Sequence, residues 1–264
     1  MQRAGTNRAE EALSVSEPLE RPEPLELDGV ALFLDLDGVL APIAARPEDV
    51  VPVAARTQLL KALQAALGGR LAVISGRTIA DLDRILDGSV VALAGVHGLE
   101  RRGVDGRVWR AEPSKALGEV RSAFASLTQA WPGVRIEEKG LSIGIHYRAE
   151  PAALPAVREV VDGLAPTVDL SLQWGNMVAE LRTPGPDKGD ALAAFMARPP
   201  FAGARPVFVG DDLTDEHGFK AAAAAGGYGV LVGPSRPSLA RARLEDVEAV
   251  HDWLSAAVAR NGAA

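Results

Sequence analysis

Short apolar runs alternate along this chain with stretches of helical periodicity, and that alternation constrains the fold more than any other feature. The runs at 30–34, 71–74, 90–94, 206–209 and 229–232 carry no polar face. A strand that is apolar on both sides belongs in a parallel sheet covered by helices, with the crossover helices lying between the runs. Residues 52–67 supply one, with Ala55, Leu59, Leu60, Leu63 and Leu67 on a single helical face. Further helices are predicted over 79–86, 191–196, 220–225 and 246–259. Between 107 and 183 the pattern changes to helix, strand, strand, helix, strand, strand. Here Ser114 is expected to cap a helix reaching Ala130. Strands at 134–138 and 141–148 are joined by Lys139-Gly140, short enough for a hairpin. A helix over 154–164 precedes strands at 168–172 and 177–181. In the second of the four strands Leu141, Ile143, Ile145 and Tyr147 alternate with Ser142, Gly144, His146 and Arg148, which predicts a sheet with one dry and one polar face. The expected organisation is an α/β core over 25–105 and 184–264, an α+β insert over 106–183, and a leader over 1–24. The two connections, near 103–107 and 182–186, permit a hinge.

Four segments carry chemistry. In Leu32-Phe33-Leu34-Asp35-Leu36-Asp37-Gly38 two acids stand where a buried strand ends, and open parallel sheets bind ligands beyond those ends. A solvated acidic turn built around Gly38 would account for the same residues. Val207-Phe208-Val209-Gly210-Asp211-Asp212-Leu213-Thr214-Asp215-Glu216 repeats the arrangement. An acidic helix N-terminus would explain Asp215 and Glu216, but not why Asp211 and Asp212 also follow a strand end that can lie beside Asp35. Hard oxygen donors without His or Cys are what Mg²⁺ selects, and a single Mg²⁺ is the expected cofactor. Ile74-Ser75-Gly76-Arg77 and Asp187-Lys188-Gly189 offer a hydroxyl, backbone N–H groups and an ammonium, the donors a phosphate requires. Taken separately, Ser75 also reads as a helix-start residue and Lys188 as a surface lysine. No dinucleotide or P-loop glycine pattern is present.

With 28 basic and 35 acidic residues the formal net charge is −7, which argues against a general nucleic-acid binder. The absence of cysteine rules out disulfides, thiolate metal sites and a cysteine nucleophile. No run reaches the roughly 18 apolar residues of a membrane helix. Residues 1–24 are rich in Glu, Arg and Pro without the apolar stretch of a signal peptide, so a disordered leader and a cytoplasmic monomer acting on a small molecule are expected.

Taken in order, the four motifs resemble the haloacid dehalogenase superfamily of phosphotransferases. The resemblance implies a Rossmann-like core with an inserted αββαββ cap. It makes Asp35 the nucleophile and Asp37 the general acid and base, with Ser75 and Lys188 on the phosphoryl group. Asp211 would complete the Mg²⁺ site with the Asp35 side chain and the Asp37 carbonyl, leaving Asp212 and Asp215 just outside it. Gly95-Val96-His97-Gly98-Leu99-Glu100, Glu137-Glu138-Lys139, His146-Tyr147-Arg148 and Glu180-Leu181-Arg182 narrow the likeness to the trehalose-6-phosphate phosphatases. That family's cap closes over a disaccharide, which implies hydroxyl contacts from Glu137, Lys139 and Glu180. Leu36, Gly76, Arg77 and His97 join the implied substrate-binding set. On the residues alone, Lys139, His146, Arg148 and Glu180 also read as exposed ion pairs worth about 0 to 1 kcal/mol each, and His97 as a turn histidine satisfied by backbone. Other readings are a capped phosphatase for sucrose 6-phosphate or mannosyl-3-phosphoglycerate, and a sugar-phosphate binding protein without turnover.

Overall fold

The computed structural model describes residues 19–164 and 168–262. In chain order the first part comprises β1 (Val30–Leu34), α1 (Ala54–Ala66), β2 (Leu71–Ile74), α2 (Ile79–Leu86), β3 (Ala92–Gly95), β4 (Glu100–Arg102) and β5 (Val108–Arg110). The inserted part comprises α3 (Leu117–Ala130), β6 (Arg135–Glu138), β7 (Ser142–His146), α4 (Leu154–Leu164), β8 (Ser171–Gly175) and β9 (Val178–Arg182). The chain then returns with α5 (Lys188–Met196), β10 (Arg205–Gly210), α6 (Asp215–Ala224), β11 (Tyr228–Val232), β12 (Ala242–Leu244) and α7 (Val247–Asn261).

The main sheet runs β12-β11-β10-β1-β2-β3-β4-β5, parallel from β12 to β3 and antiparallel across β4 and β5. Strand alternation divides its core into two layers. Val30, Leu32 and Leu34 pack with Leu60 and Leu63 of α1, Ile85 of α2 and Leu254 of α7. Ala31 and Phe33 face the other way, against Leu192 and Phe195 of α5 and Phe219 of α6. Fully burying such side chains stabilises by about 1.5–3 kcal/mol each, so these strands have no polar side to spare until they end.

The second sheet runs β6-β7-β9-β8, all antiparallel, and its dry face packs on α3 and α4 through Phe124, Ile143, Ile145, Val157, Val161 and Leu181. The alternation expected along β7 holds for Ile143, Ile145 and Tyr147, whereas Leu141 packs on Val96 and Leu99 of the first sheet's loop.

Several local expectations change. Helix α3 starts at Leu117 with Ala116 as its cap, and Ser114 Oγ instead accepts the Ala116 amide at 3.2 Å. Strand β8 begins three positions later than the apolar run suggested, because Val168 and Leu170 are buried as anchors leading into the strand. The β4–β5 hairpin gave no apolar signal, since it contains Arg101, Arg102 and an exposed Val108-Trp109-Arg110. Position 106, the expected start of the insert, therefore falls inside a hairpin of the main sheet. Of the expected leader, residues 1–18 lie outside the described residues. Its remainder is tied to the core: the Glu20 carbonyl accepts Arg243 N–H at 2.8 Å and the Glu23 carbonyl accepts Trp253 Nε1 at 2.9 Å. Among the described residues no helix is long and apolar enough to cross a membrane.

Candidate active site

Because β1 lies between β10 and β2, its C-terminal end brings Asp35 next to Asp211 on one side and Ser75 on the other. The Asp35 amide continues the ladder to Val209 O at 3.0 Å, and its Oδ1 accepts the Leu36 amide at 2.6 Å. Lys188, the first residue of α5, donates to Asp35 Oδ2 and Asp215 Oδ1, each at 2.7 Å. All three side chains are buried. Two glycines make this packing possible. A Cβ on Gly38, whose φ is +76°, would lie 2.1 Å from Asp211 Oδ2, and one on Gly210 would lie 2.3 Å from Asp215 Cγ.

Burial pushes the Asp35 carboxyl up to about 6 against the opposing pull of Lys188. Burial, reinforced by the Asp35 and Asp215 charges, pushes Asp211 up to about 8. Burial works against the charged form of Lys188 too, but Asp215 and Asp35 outweigh it and hold the ammonium above its usual range.

Carboxylate oxygens of Asp35, Asp211 and Asp215 lie within 4.8 Å of one another. Asp215 is the least available of them, because Oδ1 holds Lys188 while Oδ2 accepts the amides of Asp211 and Asp212 at 2.9 and 3.0 Å. The Asp211 carboxylate has no hydrogen-bond partner among the described residues, and burial beside Asp35 and Asp215 works against its ionisation. A hard divalent cation fits this all-oxygen set and would supply the missing countercharge at Asp211.

Arg77 does not stand free for a ligand. Its Nε and Nη2 hold both oxygens of Asp37 at 2.7 and 2.8 Å, and Nη1 donates to Pro47 O at 2.8 Å. Ser75 is buried, with Oγ 3.4 Å from the Arg77 amide that donates to it.

The insert places its polar face over this centre. Strand register aligns Glu137 with Gly144, Gly144 with Glu180 and Glu180 with Gln173, so these residues share one face. Glu137 and Glu180 are thus two strands apart, roughly 9–10 Å between backbones, and Gly144 between them has no side chain. Lys139 Nζ lies between the two acids, 3.0 Å from Glu180 Oε2 and 3.5 Å from Glu137 Oε2, while His146 Nε2 lies 2.8 Å from Glu137 Oε2. Burial pushes Glu180 up, but Lys139 and His97 outweigh it and hold the carboxyl well below its usual range. Glu138 points the opposite way and pairs with Arg121 on the outer face.

His97 joins the two sheets. Its Nε2 lies 3.4 Å from Glu180 Oε2 and 2.9 Å from Gln173 Nε2, and its ring covers Gly76 so closely that a Cβ there would lie 2.6 Å from it. Burial lowers the pKa of His97. Val96 and His97 both have positive φ, 46° and 57°, a strained backbone of the kind that persists at functional sites. On the far side Arg148 donates to Ala44 O at 2.5 Å and Asn176 O at 2.8 Å.

The space between them measures about 160 Å³, is open on one side, and is lined from the core by Asp35, Asp37, Ser75, Gly76, Arg77, His97, Lys188, Asp211 and Asp212, and from the insert by Glu137, Lys139 and Glu180. Of the residues singled out in the sequence, Leu36 contributes its amide to Asp35 and Asp215 stands behind the wall. Gln173 was missed. It is a single polar residue between Leu172 and Trp174, and only its register opposite Glu180 marks it.

The trehalose-phosphatase family profile matches residues 33–248. The chain is 37% identical to a probable trehalose-phosphate phosphatase of Sinorhizobium fredii over 81% of each chain. It is also 37% identical to the trehalose-6-phosphate phosphatase of Escherichia coli, over 91% of this chain and 90% of that one. Its fold is shared with the C-terminal domain of the C. albicans trehalose-6-phosphate phosphatase, with a TM-score of 0.81, 24% identity and coverage of 93% and 99%. The profile spans both the acids at the strand ends and the insert that faces them, and the chain belongs to the trehalose-phosphatase family.

Proposed function

We propose that this chain hydrolyses trehalose 6-phosphate to trehalose and inorganic phosphate, with Mg²⁺ as cofactor. One juxtaposition carries the reading: the Glu137–Lys139–Glu180 face of the insert lies across a small cavity from the Asp35–Lys188 pair, and His97 touches both sides. A neutral disaccharide requires paired acceptors and donors on a rigid face. A phosphate requires an ammonium, a hydroxyl and amides. The two needs are met on opposite walls of one space.

Asp35 attacks phosphorus, the bond from phosphorus to the sugar oxygen breaks, and an aspartyl-phosphate forms. Burial holds the Asp35 carboxyl above the usual carboxylate range, which makes its oxygens more basic than those of an exposed aspartate. Asp37, which enters the cycle protonated once it has left Arg77, gives that proton to the departing sugar oxygen. It then takes one from the water that attacks the aspartyl-phosphate, which releases phosphate and restores Asp35. Both Asp37 oxygens are engaged by Arg77, so these transfers require Asp37 to turn away from that guanidinium. Lys188 and Ser75 hold the oxygens of the transferring group. The Asp35 side chain, the Asp37 carbonyl and Asp211 would hold Mg²⁺, which would supply positive charge to offset the negative charge of the transferring group. Asp212 and Asp215 act from just outside, Asp215 by fixing the amides of the Asp211–Asp212 turn.

A space of about 160 Å³ is smaller than the roughly 300–1,000 Å³ of pockets that bury drug-sized ligands. The space is not sealed, because it meets a larger groove that shares Pro47, Arg77, Glu137, His146 and Arg148 with it; movement of the insert would widen or narrow that opening around a bound disaccharide. A phosphate-release panel tests the reading, using trehalose 6-phosphate, sucrose 6-phosphate and mannosyl-3-phosphoglycerate, each with and without Mg²⁺. Mg²⁺-dependent release from trehalose 6-phosphate, favoured by at least about tenfold, is expected. Comparable release from another ester would overturn the substrate. Tight binding of trehalose 6-phosphate without release would return the reading to a binding protein.

A further inference from the structure

Arg236 lies in the loop between β11 and β12, in a stretch that no sequence motif marked. Its Nη2 donates to the carbonyls of both Asp212, at 2.9 Å, and Asp211, at 3.4 Å. Its Nη1 pairs with Glu216 Oε1 in the first turn of α6. Glu216 is itself fixed, accepting Ser238 Oγ at 2.8 Å and the Leu239 amide at 2.7 Å. The Asp211–Asp212 turn is therefore gripped from two directions, its amides by Asp215 and its carbonyls by Arg236. Of Asp211, only the carboxylate is left without a hydrogen bond among the described residues.

We infer that Arg236 is a positioning residue for divalent-cation binding, holding the Asp211–Asp212 turn by its carbonyls so that the Asp211 carboxylate is presented to the ion. The inference rests on the metal-dependent reading above. A planar guanidinium can span two neighbouring carbonyls and a carboxylate at once, which an ammonium cannot do with fixed geometry. Partners that orient a metal ligand typically contribute 10- to 100-fold in metal affinity without touching the ion.

Calorimetric titration of Mg²⁺ into the metal-free protein tests this without reference to turnover. Wild type should bind one Mg²⁺, and Arg236→Ala should bind it about 10- to 100-fold more weakly. Arg236→Lys keeps the charge and loses the fork, so it should show most of the same loss, and it decides the matter where the alanine variant does not fold. Melting curves of the metal-free forms accompany the titration. A lowered melting temperature with unchanged Mg²⁺ affinity in a folded variant would make Arg236 merely structural and overturn the inference. Wild type that binds no Mg²⁺ would overturn the metal reading itself, a failure distinguishable from that of Arg236.

Discussion

The core and the insert each hold a lysine between two carboxylates, Lys188 at the start of α5 and Lys139 in the β6–β7 turn, and the two arrangements differ in tightness. Lys188 lies 2.7 Å from both Asp35 and Asp215, with all three side chains buried. Lys139 lies 3.0 Å from Glu180 and 3.5 Å from Glu137, whose side chain keeps 23% exposure. The acids around Lys188 are locked further, since Asp35 accepts one amide and Asp215 two. Glu137 is shared instead with a half-buried His146. The tighter triad suits bond breaking, where a group displaced by 1 Å loses much of its effect. The looser one suits recognition, where each ion pair must give way to a sugar hydroxyl.

Removing the two lysines should separate these roles. Lys188→Ala leaves Asp35 and Asp215 buried without a countercharge, and breaking such a pair typically costs about 3–5 kcal/mol of stability. Turnover should fall by at least about 10²–10³-fold on any phosphate ester, as for loss of a donor to the transferring group, measured by phosphate release alongside thermal melts. Lys139→Ala should leave turnover of a small aryl phosphate within about threefold and raise KM for trehalose 6-phosphate by about 10- to 100-fold, the worth of one or two hydrogen bonds to charged groups. A loss shared equally by both substrates would place Lys139 with the chemistry.

A smaller effect concerns Asp211, which neither lysine holds directly. Burial and the neighbouring acids push the Asp211 carboxyl up from the ordinary 3.8 to about 8 in the cation-free fold. Between these values the folded protein holds a proton the unfolded chain has lost, so stability falls as pH rises through the window. In chelator, the wild-type melting temperature should decline from about pH 6 to about pH 8, and Asp211→Asn should flatten that decline. Mg²⁺ should restore stability at the upper pH in wild type but not in Asp211→Asn. An unchanged slope in the variant would show that the decline comes from other groups.

The legibility of the sequence differed in the same way between the two regions. A buried parallel strand must be apolar throughout, so an acid at its end is conspicuous, and Asp35, Asp37, Asp211 and Ser75 could be read as strand-end residues at once. Lys188 emerged from its place just before a helix. Pairings across long separations left no local mark: nothing in Ser75-Gly76-Arg77 reveals that Arg77 folds onto Asp37, and nothing near Arg236 reveals the carbonyls it holds. In the insert, alternation gave the polar face of β7, but β8 was displaced by three residues because buried Val168 and Leu170 mimic a strand. That displacement concealed Gln173. Glu180 and Arg182 looked alike in sequence, yet Glu180 faces Lys139 and His97 while Arg182 Nη2 turns back to the Pro186 carbonyl. Charged residues in short strands also hid β4 and β5, since a surface hairpin and a loop have the same composition.

In the proposed division of labour the core breaks the phosphate ester while the insert reads the sugar. Glu180→Ala tests it most directly, because Glu180 contacts Lys139 and His97 but not Asp35, Asp37 or Lys188. The measurement is kcat/KM on trehalose 6-phosphate and on a small aryl phosphate, made side by side in one enzyme preparation. The expected result is a fall of about 10- to 100-fold on the first and less than about threefold on the second. Equal falls on both would contradict the division of labour between core and insert.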